Sequence, residues 1–194
     1  MKIAIDIDDT IFPTTREFIK YHNKKYKTNK KLKDCTTLHA NHLFNLDFDT
    51  YLERWMDFIK SDFHKKLTPY PFSVKIIKKL SLENELYIVT ARNKRSKKIT
   101  NDLITNVFGE NFFKKIIHLN YEDFTIDQKH EVCLKYNIKM IIDDSLETCL
   151  ACGKEKINCF LFNYKNKYNW NIYNKKNKYI TKIDSWKDPK FLNI

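Results

Sequence analysis

Residues 2–12 read KIAIDIDDTIF, an apolar run that stops on three carboxylates, Asp6, Asp8 and Asp9, and then Thr10. Ile3, Ile5 and Ile7 line one side and the other side has little polarity, the pattern of a strand buried on both faces. Acids crowded at the end of such a strand repel one another by several kcal/mol at low dielectric unless something neutralises them. Two more apolar runs finish in the same manner. LYIVT leads to Thr90, Ala91 and Arg92, and KMIID leads to Asp143, Asp144 and Ser145.

Working outward, the chain past Pro69 and Pro71 alternates helix and strand. The spacing predicts helices over 73–82, 96–108, 126–136 and 146–154, with strands over 86–90, 116–119, 139–142 and 159–162. Single helices between strands imply right-handed crossovers and a parallel sheet covered on both faces, a doubly wound α/β fold. Ligands of such sheets bind at the carboxyl ends of the strands, near the point where the strand order reverses. All three polar strand ends should surface on that rim.

Residues 13–68 interrupt the alternation. After Pro13, Phe18, Ile19, Tyr21, His22 and Tyr26 fall near helical spacing, with Thr14 or Thr15 placed to cap the start. Over 48–63, Tyr51, Leu52, Trp55, Phe58 and Ile59 share one helical face. The expected division is an α/β core of residues 1–12 and 69–194 and a small helical cap insertion of residues 13–68. Phe12, Phe18, Tyr21, Phe44 and Trp55 are candidates to stack on a ligand, although such a stripe more often packs a helical core.

A 194-residue chain that is 42% hydrophobic can bury a sizeable core. No run of 18 apolar residues and no signal-like segment is visible, so a cytosolic location and no membrane partner are expected. The five cysteines read as reduced and buried; Cys149 and Cys152 have CxxC spacing, but no second pair completes a zinc site. A net charge of +12 invites a nucleic-acid partner, yet only four of the 36 basic residues are Arg, the better phosphate and guanine fork. With two glycines in the chain, no glycine-rich phosphate loop exists, and ATP and NAD lose their usual support. The stretch after residue 162 carries eight Lys and seven Asn against two Asp. Its residues 179–183 and Trp186 suggest a last strand and an anchor on the body.

A single Asp after a strand is usually a turn former or helix cap. Three strands ending in matched polar groups ask for more. Oxygen ligands without His or Cys suit a hard octahedral cation, Mg²⁺ first, which normally also takes a substrate phosphate oxygen. A carboxylate beside it can attack phosphorus, and a second one two residues on can move the proton. Asp6 is then the nucleophile, Asp8 the acid/base, and Thr10 a hydrogen-bonding brace for the turn.

These residues resemble a known family. Asp6-Ile-Asp8-Asp9-Thr10 is similar to the DxDxT motif of the haloacid dehalogenase-like hydrolases, Val89-Thr90-Ala91-Arg92 to their second motif, Lys129 to their third and Ile142-Asp143-Asp144-Ser145 to their fourth. VTAR and KHEVCLKYNIKMIIDDS more narrowly resemble the branch containing 5'(3')-deoxyribonucleotidases. The resemblance implies that Asp6 attacks phosphate and binds Mg²⁺, while Asp8 gives the metal a backbone carbonyl and its carboxyl to proton transfer. It implies that Thr90, the amides near Ala91, and Lys129 hold the phosphoryl group. Asp144 would be a direct metal ligand and Asp143 a water-mediated one. Arg92 has two readings, a contact to substrate phosphate or base and a surface ion-pair partner. Asp9 stands where many members have Gly, and could hold a metal-bound water or cap the following turn.

The expected function is a Mg²⁺-dependent phosphomonoesterase acting on a small phosphorylated substrate, with nucleoside monophosphates favoured. Nucleic-acid 3'-phosphates or another small phosphometabolite are the alternative substrates. A non-catalytic phosphate-binding module is the third reading.

Overall fold

The computed structural model describes residues 1–119 and 129–193. β1 (Lys2–Ile5) enters the acidic turn, after which come α1 (Thr14–Tyr26), α2 (Asn41–Phe44), α3 (Phe48–Lys60) and α4 (Asp62–Lys65). The chain returns through α5 (Ser73–Leu80) to β2 (Glu85–Thr90), then α6 (Lys97–Phe108) and β3 (Lys115–His118). α7 (Lys129–Lys135), β4 (Met140–Asp143), α8 (Leu146–Lys154), β5 (Asn158–Phe162) and β6 (Ile180–Ile183) follow. The expected start of α7, residues 126–128, lies outside the described residues.

Among the described residues all six strands are parallel, in the order β3-β2-β1-β4-β5-β6. This is the doubly wound order, and it reverses between β1 and β4. Ile5 lies opposite Ile142, and the Asp6 N–H donates to the Ile142 carbonyl at 2.9 Å. Asp6 and Asp143 therefore leave the sheet side by side at the reversal point.

Alternate strand residues feed two apolar layers, as a period of two requires. Ile3, Ile5, Ile88, Ile142, Phe160 and Phe162 belong to one; Ala4, Tyr87, Val89, Ile141, Cys159 and Leu161 to the other. α1 to α4 join the first layer. Phe18, fully buried, meets Phe44, Tyr51, Trp55 and Phe58 edge-on, with ring centroids 5.1–5.8 Å apart. Such aromatic pairs are each worth about 0.5–1.5 kcal/mol beyond the area they bury. Phe12, Phe18, Tyr21 and Phe44 are thus packing residues, and the half-buried Trp55 leans on Phe18. The Tyr70 N–H donates to the Ile11 carbonyl at 2.8 Å, so the two crossings between sheet and helices are tied together.

The basic stretch after β5 is ordered against the body. β6 sits in the expected place, and Trp186 is fully buried, stacked on Phe191 at 5.0 Å. All five cysteines are reduced and buried. Among the described residues, no helix is long and apolar enough to cross a membrane.

Candidate active site

Asp6 is the first residue past β1, and Asp143 the last of β4. Lys129, at the start of α7, reaches between them: its ammonium donates to Asp6 Oδ1 at 2.8 Å and to Asp143 Oδ2 at 2.7 Å. The other oxygen of Asp143 accepts the Ser145 N–H at 2.9 Å, while the Ser145 hydroxyl oxygen caps α8 through Thr148 N–H. Oxygens of Asp6, Asp143 and Asp144 all lie within 4.8 Å of one another, and all three residues are buried. Three of the four sequence motifs therefore supply this one cluster.

Asp8 faces a different partner. The Arg92 guanidinium grips both its oxygens, Nη2 to Oδ1 at 2.6 Å and Nε to Oδ2 at 2.9 Å. Arg92 does make an ion pair, but not the surface one expected: its side chain is 1% exposed and lies in the interior. Arg92 Nη1 also lies 3.0 Å from His64 Nε2, which must then be the unprotonated ring nitrogen. Thr90, fully buried, accepts the Arg92 N–H on Oγ1 at 3.2 Å, and Ala91 between them is half-buried.

Asp9 has φ 55°, a left-handed conformation that costs an ordinary side chain about 1 kcal/mol and glycine almost nothing. Its carboxylate accepts the Thr15 N–H at 3.1 and 3.2 Å, so the cap of α1 is Asp9 and not Thr14 or Thr15. Thr10 braces the turn differently from expectation. Among the described residues, its hydroxyl is the buried side-chain group without a partner, whereas its carbonyl accepts the Trp186 indole N–H at 2.9 Å.

The segment after β5 adds contacts of its own. Trp170 donates its indole N–H to Asp144 Oδ2 at 2.8 Å, and Asn171 donates to the Asp144 carbonyl at the same distance. Tyr168 stacks on Trp170 with centroids 4.3 Å apart and donates its hydroxyl to the Asp9 carbonyl at 2.9 Å. Having spent its proton there, it accepts from Tyr70.

Solved structures share this arrangement of strands and helices. A haloacid dehalogenase-like hydrolase of Streptococcus pneumoniae superposes with a TM-score of 0.63 at 17% identity, covering 83% of each chain. The HAD-hydrolase YfnB of Bacillus subtilis, solved with magnesium bound, gives 0.62 at 15% identity over 100% of this chain and 98% of its own. A mutant of CbbY from Rhodobacter sphaeroides, in complex with xylulose-(1,5)bisphosphate, gives 0.61 at 11% identity over 96% and 95%. No family model and no curated protein matches the chain. The fold is that of the haloacid dehalogenase-like hydrolases.

In this haloacid dehalogenase-like fold burial governs the electrostatics of the rim. Burial, opposed by Lys129 and reinforced by Asp143 and Asp8, raises the Asp6 carboxyl from 3.8 to about 7. Burial also lifts Asp9 to about 8 and, with Asp9, Asp143 and Asp6 nearby, holds Asp144 well above the ordinary range. Burial opposes the Lys129 charge too, but Asp143 and Asp6 outweigh it and hold the ammonium protonated. One buried ammonium thus faces three buried carboxylates. An all-oxygen set with surplus negative charge fits a hard divalent cation such as Mg²⁺. At Asp8, burial acts upward as well, yet the charge and hydrogen bonds of Arg92 win and the carboxyl is lowered.

His64, Tyr168, Trp170 and Asn171 are the site neighbours that the sequence pattern did not single out. His64 falls just past the amphipathic stretch 48–63, and no neighbouring His or Cys at ligand spacing marks it. The others sit in a Lys- and Asn-rich run whose one signal was its two tryptophans, Trp170 and Trp186.

Proposed function

We propose that this protein is a Mg²⁺-dependent phosphomonoesterase that forms a phosphoaspartyl intermediate on Asp6, with nucleoside monophosphates as its favoured substrates. One observation carries the reading: a buried Asp6 at the strand-order reversal, held by Lys129 beside Asp143 and Asp144. That one neighbour of this fold is described with magnesium and another with a bisphosphorylated sugar supports the cation and a phosphorylated ligand. The nucleotide preference rests on the VTAR and KHEVCLKYNIKMIIDDS resemblance.

The carboxylates of Asp6 and Asp144 and the backbone carbonyl of Asp8 would hold the cation, with Asp143 acting through water. Lys129 and Ser145 already engage both Asp143 oxygens, which supports that order. When bound, Mg²⁺ supplies positive charge that draws phosphate in and lets Asp6 ionise. Asp6 then attacks phosphorus, and the ester oxygen leaves with a proton from Asp8. In the second half Asp8 takes a proton from water, whose oxygen attacks the phosphoaspartate and frees Asp6 and inorganic phosphate. Lys129 holds the Asp6 carboxylate and balances charge throughout. Arg92 keeps Asp8 ionised, which suits the second half; the first half requires that grip to loosen as substrate arrives. Thr90 and the Ala91 amide border the phosphate position, and residues 13–68 act as a cap that limits water.

Release of phosphate from nucleotides, sugar phosphates and 3'-phosphorylated oligonucleotides, with and without Mg²⁺, tests the proposal. Turnover of nucleoside monophosphates that needs Mg²⁺ and is lost in Asp6→Asn supports it. Activity surviving Asp6→Asn overturns the intermediate, and turnover of oligonucleotides alone, with steep salt dependence, moves the substrate to nucleic acid.

A further inference from the structure

Asp144 is held at both ends by one short stretch of chain. The Trp170 indole N–H meets its Oδ2 at 2.8 Å, and the Asn171 side-chain amide meets its carbonyl at 2.8 Å. Asn171 is fixed in turn, donating also to the Phe162 carbonyl at 2.8 Å and accepting from Asn163 at 2.6 Å. Tyr168 stacks flat against Trp170, 13° from parallel, and bonds the Asp9 carbonyl. Trp170 and Asn171 are 7% and 2% exposed, so water does not compete for these bonds.

An aspartate has two rotatable side-chain bonds and two equivalent oxygens. A donor fixed on Oδ2 removes that freedom and leaves Oδ1 as the oxygen to be offered to a cation. An indole is well suited to such orientation, being donor-only, uncharged and rigid once stacked, so it fixes a carboxylate without neutralising it. A lysine in its place would compete with the metal.

We infer that Trp170 is a positioning residue for the metal site, orienting Asp144 so that one oxygen is preset for a divalent cation. This rests on the proposed Mg²⁺ role of Asp144. It assigns to the segment beyond β5 a part in metal affinity, separate from its packing.

The test is calorimetric titration of Mg²⁺ into the substrate-free protein and into Trp170→Phe, which keeps a ring against Tyr168 and removes only the donor. The expected result is a Kd for Mg²⁺ raised about tenfold or more, the scale of lost outer-shell partners, with phosphatase activity of the variant recovering at high Mg²⁺. A folded Trp170→Phe protein with an unchanged Kd overturns the inference. A second measurement needs no variant at this position: the Trp170 indole N–H resonance of ¹⁵N-labelled wild-type protein, assigned using Trp55→Phe and Trp186→Phe. Movement of that resonance with the calorimetric Kd supports positioning, and a resonance unmoved at saturating Mg²⁺ overturns it. If Mg²⁺ binds and Trp170→Phe weakens it while no substrate is hydrolysed, the positioning role stands and the phosphatase reading falls. Wild-type protein that binds no Mg²⁺ sinks both.

Discussion

Arg92, just past the end of β2 and 84 residues from Asp8, holds both oxygens of that carboxylate, and His64 of the helical stretch holds Arg92. The proposed proton carrier is therefore coupled through one guanidinium to the residues that would cover it. Replacing Arg92 by Gln removes the charge that lowers the Asp8 carboxyl, so its pKa rises. In the proposed cycle Asp8 must be ionised to accept the proton from water. The acidic limb of the pH–rate profile should move to higher pH, with kcat at neutral pH down about 10²-fold, within the span of acid–base contributions. Steady-state rates from pH 4 to 9 provide the check, and an unmoved limb denies Asp8 the role of base.

Lys129→Met tests the central ion pairs. Removing one partner of a buried pair costs about 3–5 kcal/mol, because two carboxylates then share a dry site without a counter-charge. The Asp6 carboxyl is already raised to about 7 in the fold. A group raised in this way stabilises the fold at low pH, and that contribution is lost as pH rises through its folded value. Urea unfolding without metal should show a gap between variant and parent that is wider at pH 8 than at pH 5.

Asp9 separates backbone cost from capping. Asp9→Gly removes a cap worth about 1 kcal/mol but relieves a left-handed residue by a similar amount, so its stability should lie within about 0.5 kcal/mol of the parent. Asp9→Ala loses the cap and keeps the strain, and should be destabilised by about 1–2 kcal/mol. If glycine is no better than alanine, the left-handed backbone at Asp9 does not carry the cost assigned to it. Thermal unfolding of both variants decides.

His22 supplies a pH dependence away from the rim. It lies buried on Phe44, centroids 3.7 Å apart, with Arg54 2.8 Å from Nε2. Burial, with Arg54 adding to it, lowers its pKa from 6.5 to about 4. Above 6.5 the ring is neutral in folded and unfolded chains alike. As pH falls from 6.5 to 4, only the unfolded chain takes the proton, and about 1–3 kcal/mol is lost. His22→Gln should flatten the unfolding free energy over that window.

The sheet could be read from residues 2–12 because burial leaves a local signature: apolar runs of strand length, each ending in groups that need water, a partner or a cation. The same signature marked Asp6, Asp143 and Asp144, which the fold brings together. Arg92 was ambiguous since nothing near it in sequence reveals that Asp8, 84 residues earlier, would meet its fork. Trp170 was invisible as a neighbour of Asp144 for the same reason. Asp9 carried half a signal, its place in the turn, while the left-handed backbone depends on how the turn must climb into α1. Contacts set by tertiary approach have no period to read.

The Trp186 bond to the Thr10 carbonyl spans 176 residues. During synthesis the acidic turn emerges with the first strand, yet its indole donor is not made until about 10 to 35 s later at ordinary elongation rates. Until then a nascent chain carries Asp6, Asp8 and Asp9 on an incomplete rim. The turn made together with β1 is among the last parts of the fold to be finished.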